Sequence, residues 1–357
     1  MTNAAQLAQY GANNVGLSFK NRLINGDMSI SQRNGTSSVS ITGGNSVSYT
    51  LDRWLAVGLG SGGVFSVQQV AEAPAGFINS IKATVTTAQA TVSASYTIQQ
   101  RIEGLNVNDF GWGTANAQAV TLSFWVRSSL TGTFGGSFTN SDFNRTYPFP
   151  YTISAANTWE YKTITIPGDT TGTWLTTNGI GIELNFGLGA EVAREATANV
   201  WANTVARQPT GTVDLISTNG ATWQITGVQL EKGTVATSFD YLPYTTELQL
   251  CQRYCVVLGQ VGGETAVGAG NWYASTATVY QMRLPVEMRA NPTLTNVSPT
   301  LAMIHAGSSL PANAPTINRT SRSAVEFYTP VSSGSTTAGQ GTSVSYTAGS
   351  SILSAEL

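Results

Sequence analysis

Apolar and polar residues alternate with a period of two in several stretches of the chain, and this rhythm rules out a helical fold for most of it. In Ser95–Glu103, Tyr96, Ile98, Gln100 and Ile102 fall on one side of an extended strand, with Thr97, Gln99, Arg101 and Glu103 on the other. Leu122, Phe124 and Val126 are set against Thr121, Ser123, Trp125 and Arg127 in the same way, and Ile180, Ile182, Leu184 and Phe186 against Gly181, Glu183 and Asn185. Trp223–Lys232 reads as a closing strand in which Gly227 shifts the phase, as a bulge does. Many short strands, each with one apolar face and separated by Gly, Asn and Ser clusters, predict an antiparallel sandwich of jelly-roll type.

Composition narrows the function classes. Charged residues are 10% of the 357, the net charge is -2, and only Lys20, Lys82, Lys162 and Lys232 are lysines. No basic stripe is present to displace counterions, so nucleic acid is not an expected partner. The apolar runs are of strand length, which argues against membrane insertion, and the N-terminus lacks a signal-peptide pattern. Cys251 and Cys255 sit in LCQRYC with His305 the sole histidine, too few ligands for zinc, and they read as small buried hydrophobes. No metal and no cofactor is expected.

The chain divides into residues 1–20, a docking segment with Leu7 and Tyr10 on a short helix (or a disordered leader); 21–244, the jelly roll; 245–255, a linking helix capped by Thr245 or Thr246; and 256–357, a smaller C-terminal β domain. In that last domain strands are expected at Cys255–Leu258, Thr276–Pro285, Ala324–Tyr328, Ser343–Thr347 and Ile352–Leu357.

Catalytic motifs fail their context. GLGSGG at 58–63 satisfies G-x-G-x-x-G, but Val64–Val70 after it reads as a strand, where a dinucleotide site needs a helix. Glu103, Glu160, Glu183 and Asp142 are the carboxylates that polysaccharide hydrolysis would draw on, and no spacing pairs them. Carbohydrate contact fits better, because sugars present flat C–H faces and rings of hydroxyls to aromatic and planar polar side chains. If the three alternating strands are neighbours, Gln99, Arg101, Trp125, Arg127, Glu183 and Asn185 form one polar face with an aromatic in it. The same face would also suit burial under a loop, an N-terminal strand or a neighbouring subunit. Trp272, Tyr273 and Tyr280 could supply a second platform or belong to the core.

Several motif strings carry a resemblance. Asn21–Met28 (NRLINGDM), Ser31-Gln32-Arg33, Asp52-Arg53-Trp54, Leu122–Arg127 (LSFWVR), Trp223–Lys232 (WQITGVQLEK), Phe239–Tyr244, Leu250–Tyr254 (LCQRY) and Ser354–Leu357 (SAEL) are similar to bacteriophage tail fibre proteins with a carbohydrate-binding-like jelly roll. The resemblance implies a non-enzymatic structural protein of the virion, often trimeric, that joins other phage tail proteins and recognises host surface glycan. Its alternatives are a capsid cement or baseplate spacer without a glycan site and, further off, a polysaccharide depolymerase. Related modules hold calcium between an N-G-D-[FM]-E segment and an acidic residue of the last strand. Here Ser29 replaces the Glu and Thr226-Gly227 the acid, so calcium is not expected.

Overall fold

A computed structural model describes residues 19–259, 265–305 and 308–357. Leu7 and Tyr10 of the expected docking segment lie outside them. The first half is built from β1 (Val39–Thr42), β2 (Ser46–Leu51), β3 (Trp54–Gly58), β4 (Val64–Val70), β5 (Ser80–Thr87), β6 (Ser95–Glu103) and β7 (Val120–Ser128). It continues through β8 (Gly132–Thr139), β9 (Thr146–Ile153), β10 (Glu160–Ile166), β11 (Ile180–Ala190), the two-residue β12 (Glu195–Ala196) and β13 (Gln208–Pro209), and β14 (Thr222–Lys232). Two six-stranded antiparallel sheets result, ordered β1-β4-β5-β14-β7-β10 and β2-β3-β6-β11-β8-β9. They face one another as a jelly-roll sandwich.

The alternating apolar residues meet between the sheets. Phe124 packs edge-on against Phe186 with ring centroids 5.2 Å apart, and Trp54, Phe65, Tyr96 and Trp223 are fully buried around them. Trp223 Nε1 donates to the Tyr151 hydroxyl at 3.0 Å, so the one polar atom of that indole is satisfied inside the core. β14 is inserted between β5 and β7, and its register slips between Thr226 and Gln229. Gly227 takes φ +61° in that bulge, and a Cβ there would come within 2.6 Å of the Phe77 ring. Glycine is therefore what lets Phe77 close down on the outer face of the sheet.

A single α-helix follows among the described residues, α1 (Tyr244–Gln252). It begins one residue before Thr245, with Pro243 in the capping position and no side-chain cap. The Pro243 carbonyl accepts from the Thr246 and Glu247 amides instead, so neither threonine caps it. Cys251 from α1 joins Ile24, Ile30 and Tyr254 in a small cluster beneath the sandwich.

The second half contains β15 (Cys255–Leu258), β16 (Thr265–Ala274), β17 (Ala277–Arg283), β18 (Thr293–His305), β19 (Ser308–Ala312), β20 (Thr316–Thr320), β21 (Ala324–Pro330) and β22 (Gly341–Ser354). They form one sheet ordered β19-β18-β22-β16-β17-β21-β20, with β15 also pairing β22. The sheet curls around its own core of Trp272, Tyr280, Met303, Phe327 and Tyr346 until Ala312 bridges Val331. The expected strand at Ser343–Thr347 and the first residues of that at Ile352–Leu357 belong to one 14-residue β22, carried past Gly349 at φ +67° and ended at Ser354.

The halves meet through the motif residues. Arg53 is 1% exposed, lies 3.6 Å from the centre of the Tyr254 ring and pairs with Glu356, which also takes Arg33 at 3.0 Å. Gln32 Nε2 donates to Asp52 at 2.6 Å and to the Cys255 carbonyl at 3.0 Å. Arg253 donates from Nε and Nη2 to the two oxygens of Glu103 at 2.9 and 2.6 Å. The strings SQR, DRW, QRY and SAEL, far apart in sequence, are thus one hydrogen-bonded junction.

Candidate functional site

The polar face expected from alternation divides between two sheets. Gln99, Arg101, Glu183 and Asn185 are neighbours on β6 and β11, with Arg101 opposite Glu183 and Gln99 opposite Asn185. Trp125 and Arg127 lie on β7 in the other sheet, across the core. Alternation reports which residues share a side of one strand; it does not report which sheet the strand joins.

The first group is enclosed. Arg207, from the segment between β12 and β13, pairs with Glu183 and donates to Asn185 Oδ1 at 3.1 Å, while Ser137 Oγ donates to the Ala206 carbonyl at 2.8 Å. Arg101 donates to Glu183 at 2.9 Å and to the Leu357 carbonyl at 2.7 Å. Gln99, Glu183 and Asn185 are 2%, 0% and 0% exposed, so they offer a ligand no surface. The segment carrying Ala206 and Arg207 covers this face, so Gln99, Glu183 and Asn185, expected as contact residues, are interior instead.

Trp125 has a different setting. It is half-buried on the outer face of its sheet, directly opposite Tyr161 on β10, with ring centroids 5.3 Å apart. Facing them is a second aromatic wall of Phe77, Phe239 and Tyr241, whose rings lie 4.8–5.6 Å from one another. Ser123 and Gly227 also line the cleft between the walls, which holds ≈ 280 Å³, with Thr237 and Ser238 at its rim. Tyr161 and Tyr241 are 44% and 55% exposed, so the rings are open to solvent.

The second wall is fixed by short-range bonds from β14. Glu231 accepts from the Thr237 amide at 2.7 Å and its hydroxyl at 2.8 Å, Gln229 Oε1 accepts from the Asp240 amide at 2.8 Å, and the Tyr241 hydroxyl donates to the Gly76 carbonyl at 2.8 Å. Arg127 stands along the same strand and donates to Glu72 at 3.1 Å and to the Asn157 carbonyl at 2.9 Å. Glu72 also accepts from Gln224, and this bond above all, helped by Lys82 and Arg127, holds its carboxyl below the usual range. Opposed aromatic walls with hydroxyls at the rim can sandwich the C–H faces of a pyranose and bond its hydroxyls.

Of this cleft, alternation identified Trp125 alone. Tyr161 sits in a strand that carries its own alternation, and Phe239 and Tyr241 are spaced by two, but no rule of spacing says that the segment after β14 folds back over β7. Trp272 and Tyr280, expected either as a platform or as core, are core at 1% exposure each, whereas Tyr273 is 71% exposed on the opposite side of the sheet.

The expected hydrolytic carboxylates are committed elsewhere or isolated. Burial raises Glu103, but hydrogen bonds from Arg253 and Tyr254 outweigh it and leave the carboxyl below its ordinary value. Glu160 pairs with Lys162 at 2.7 Å, and Asp142 takes only its neighbour Ser141 at 3.3 Å. Both cysteines are free and buried, and burial pushes both thiols up. Among the described residues no three His, Cys, Asp or Glu side chains gather as a metal-holding group, and no helix is long and apolar enough to cross a membrane.

No family model matches the chain, and no curated protein matches it to significance. Similar solved structures include the enzymatically active domain of tailspike protein 4 of bacteriophage CBA120, at 13% identity and TM-score 0.31 over 60% of this chain; the chain spans 22% of that tailspike's length. A putative sugar binding protein from Bacteroides thetaiotaomicron matches at 12% identity and TM-score 0.35, over 60% of this chain and 100% of its own. The N-terminal tandem CBM22 domain of Paenibacillus barcinonensis Xyn10C matches at 9% and 0.27, over 92% of this chain and 100% of its own. Scores this low add nothing to what the two sheets establish by themselves.

Proposed function

We propose that the chain is a structural component of a phage tail, a tail fibre protein of the virion, and that it contacts host surface glycan through the cleft between Trp125–Tyr161 and Phe77–Phe239–Tyr241. The cleft carries the glycan half of the reading: solvent-open aromatic rings face one another across a space with hydroxyls at its rim. The tail-fibre half rests on the motif strings, whose residues gather in the junction between the halves. The reading is of a protein that binds and does not cut, and the engagement of Glu103 and Glu183 in buried ion pairs supports it. A homotrimer joined to other tail proteins is part of the same reading.

Retention on immobilised envelope polysaccharide tests it. The unmodified chain should be retained, with no new reducing ends released, and Trp125→Ala should weaken retention by about tenfold or more, the loss of one stacked ring. Equal retention of Trp125→Ala and wild type would remove the cleft from the argument. Silence toward every glycan, with tight incorporation into particles, would turn the reading into that of a spacer.

A further inference from the structure

We infer that the C-terminal half carries a second saccharide site, specific for neutral pyranose oligosaccharides, on the outer face of β16, β17, β21 and β20. It rests on the reading of the chain as a glycan-binding protein and extends that reading to a half of the molecule with which the Trp125 cleft shares no residue. Tyr273 on β16 and Tyr328 on β21 stand with ring centroids 6.5 Å apart and planes at 80°, one ring edge-on to the other like the wall and floor of a corner. Val279, Asn318, Arg319 and Glu326 complete a recess of ≈ 330 Å³, within the roughly 300–1,000 Å³ of small-molecule sites.

Two irregularities in the sheet lie at these side chains. Strand alternation puts Trp272 in the core and Tyr273, 71% exposed, on the outer face, and the β16–β17 register slip between Trp272 and Ala274 leaves Tyr273 without a cross-strand partner. The β20–β21 register slips between Ile317 and Arg319, where Asn318 sits. Bulges of this kind interrupt ladder pairing, and here both open onto one recess.

The polar groups suit hydroxyls. Asn318 Nδ2 donates to Glu326 at 2.6 Å, leaving the Asn318 carbonyl oxygen without a protein partner among the described residues, while Gln281, outside the recess on β17, donates to the other Glu326 oxygen at 2.9 Å. Arg319 touches Glu326 at 3.5 Å through one nitrogen, and its side chain is 80% exposed, so its remaining N–H groups face solvent. The recess thus presents acceptors and donors side by side next to two rings, the pattern that vicinal hydroxyls on a sugar complete. One arginine and one glutamate cancel in charge, which favours a neutral ligand over a uronate or sialylated one.

The experiment uses the full chain on an array of neutral (gluco-, manno- and galacto-configured) and anionic oligosaccharides, with Trp125→Ala, Tyr273→Ala and the double variant compared. Tyr273 is exposed, so an unchanged Tm is expected and checks folding. Tyr273→Ala should weaken binding to neutral glycans by about tenfold or more, and Trp125→Ala should leave residual binding that only the double variant abolishes. Asn318→Ala should weaken the same glycans while leaving the oligomeric state unchanged. Unchanged binding by Tyr273→Ala with loss in Trp125→Ala overturns this site and leaves the cleft standing; the reverse pattern overturns the cleft alone. Binding confined to anionic glycans overturns the assigned class. Silence of the unmodified chain across the array overturns both sites.

Discussion

At the scale of single residues, the cleft depends on the backbone conformation of one glycine in its lining. Gly227 holds a left-handed φ of +61° and has no room for a Cβ beneath Phe77. Gly227→Ala should lower stability by about 1–3 kcal/mol through strain alone and should also shift Phe77 out of the second wall. Thermal unfolding would report the first effect, and glycan retention the second. Glu247 gives a pH signature. Burial pushes its carboxyl up to about 7 from an ordinary value of 4.5, with the Asp27 and Asp240 charges adding, against the Asn25 amide bond. The native chain therefore keeps a proton that the unfolded chain has released. This site's contribution is fullest below about pH 4.5, falls as pH rises toward about 7 and is level above that. Across that window Glu247→Gln should show a flatter dependence of Tm on pH than wild type. The carboxylate of Glu103, held low against its burial by Arg253 and Tyr254, acts in the opposite sense: its contribution is lost as pH falls below the ordinary carboxylate range, in a separate acid window.

At the scale of elements, the most consequential contacts join strands that alternation cannot relate. Glu356, just past β22, is the common partner of Arg33 and Arg53, and Arg53 has no water to fall back on. Removing one side of such a buried pair typically costs about 3–5 kcal/mol. Glu356→Ala should therefore separate the unfolding of the two halves in calorimetry, splitting one transition into two. The strands were legible in part: β6, β7, β11 and the bulged β14 follow from alternation and the phase shift at Gly227, and β4 is the strand that removed the dinucleotide motif, whereas β1–β3, β5 and β8–β10 were read only as a run of short strands without bounds. β16 and β18 were not legible, for physical reasons. β16 is interrupted by Gly268 and Gly270, and most of β18 faces solvent with Pro299 inside it, so neither shows an apolar rhythm. The site was legible as far as Trp125, with Arg127 beside it on the same strand. Tyr161 arrives through the pairing of β10 with β7, and Phe239 and Tyr241 arrive because side-chain bonds to Glu231 and Gln229 fold the segment after β14 back over the sheet, neither of which alternation within one strand reports.

At the scale of the whole molecule, each half is completed by its last strand, and that strand is not at an edge. β14 enters between β5 and β7, and β22 lies between β18 and β16 while also pairing β15. A chain stopped at residue 340 should leave β15, β16 and β18 without their common partner, so proteolysis should digest residues 255–340 while the sandwich keeps its protection. If the homotrimer of the proposed function is correct, light scattering should return three times the 37.5 kDa chain mass; a stable monomer at micromolar concentration would count against it. The late, central placement of β14 and β22 also bears on synthesis. As a ribosome extends the chain, one sheet of the first half and the sheet of the second each lack an inner strand until β14 or β22 is made. Neither half can finish folding piecemeal during translation, so a pause before residue 222 or residue 341 would hold unpaired strands beside those of neighbouring nascent chains. The cure for a poor yield of this protein would then be a faster passage through those two points, or a chaperone that occupies the missing strand's place, more than any change to the mature surface.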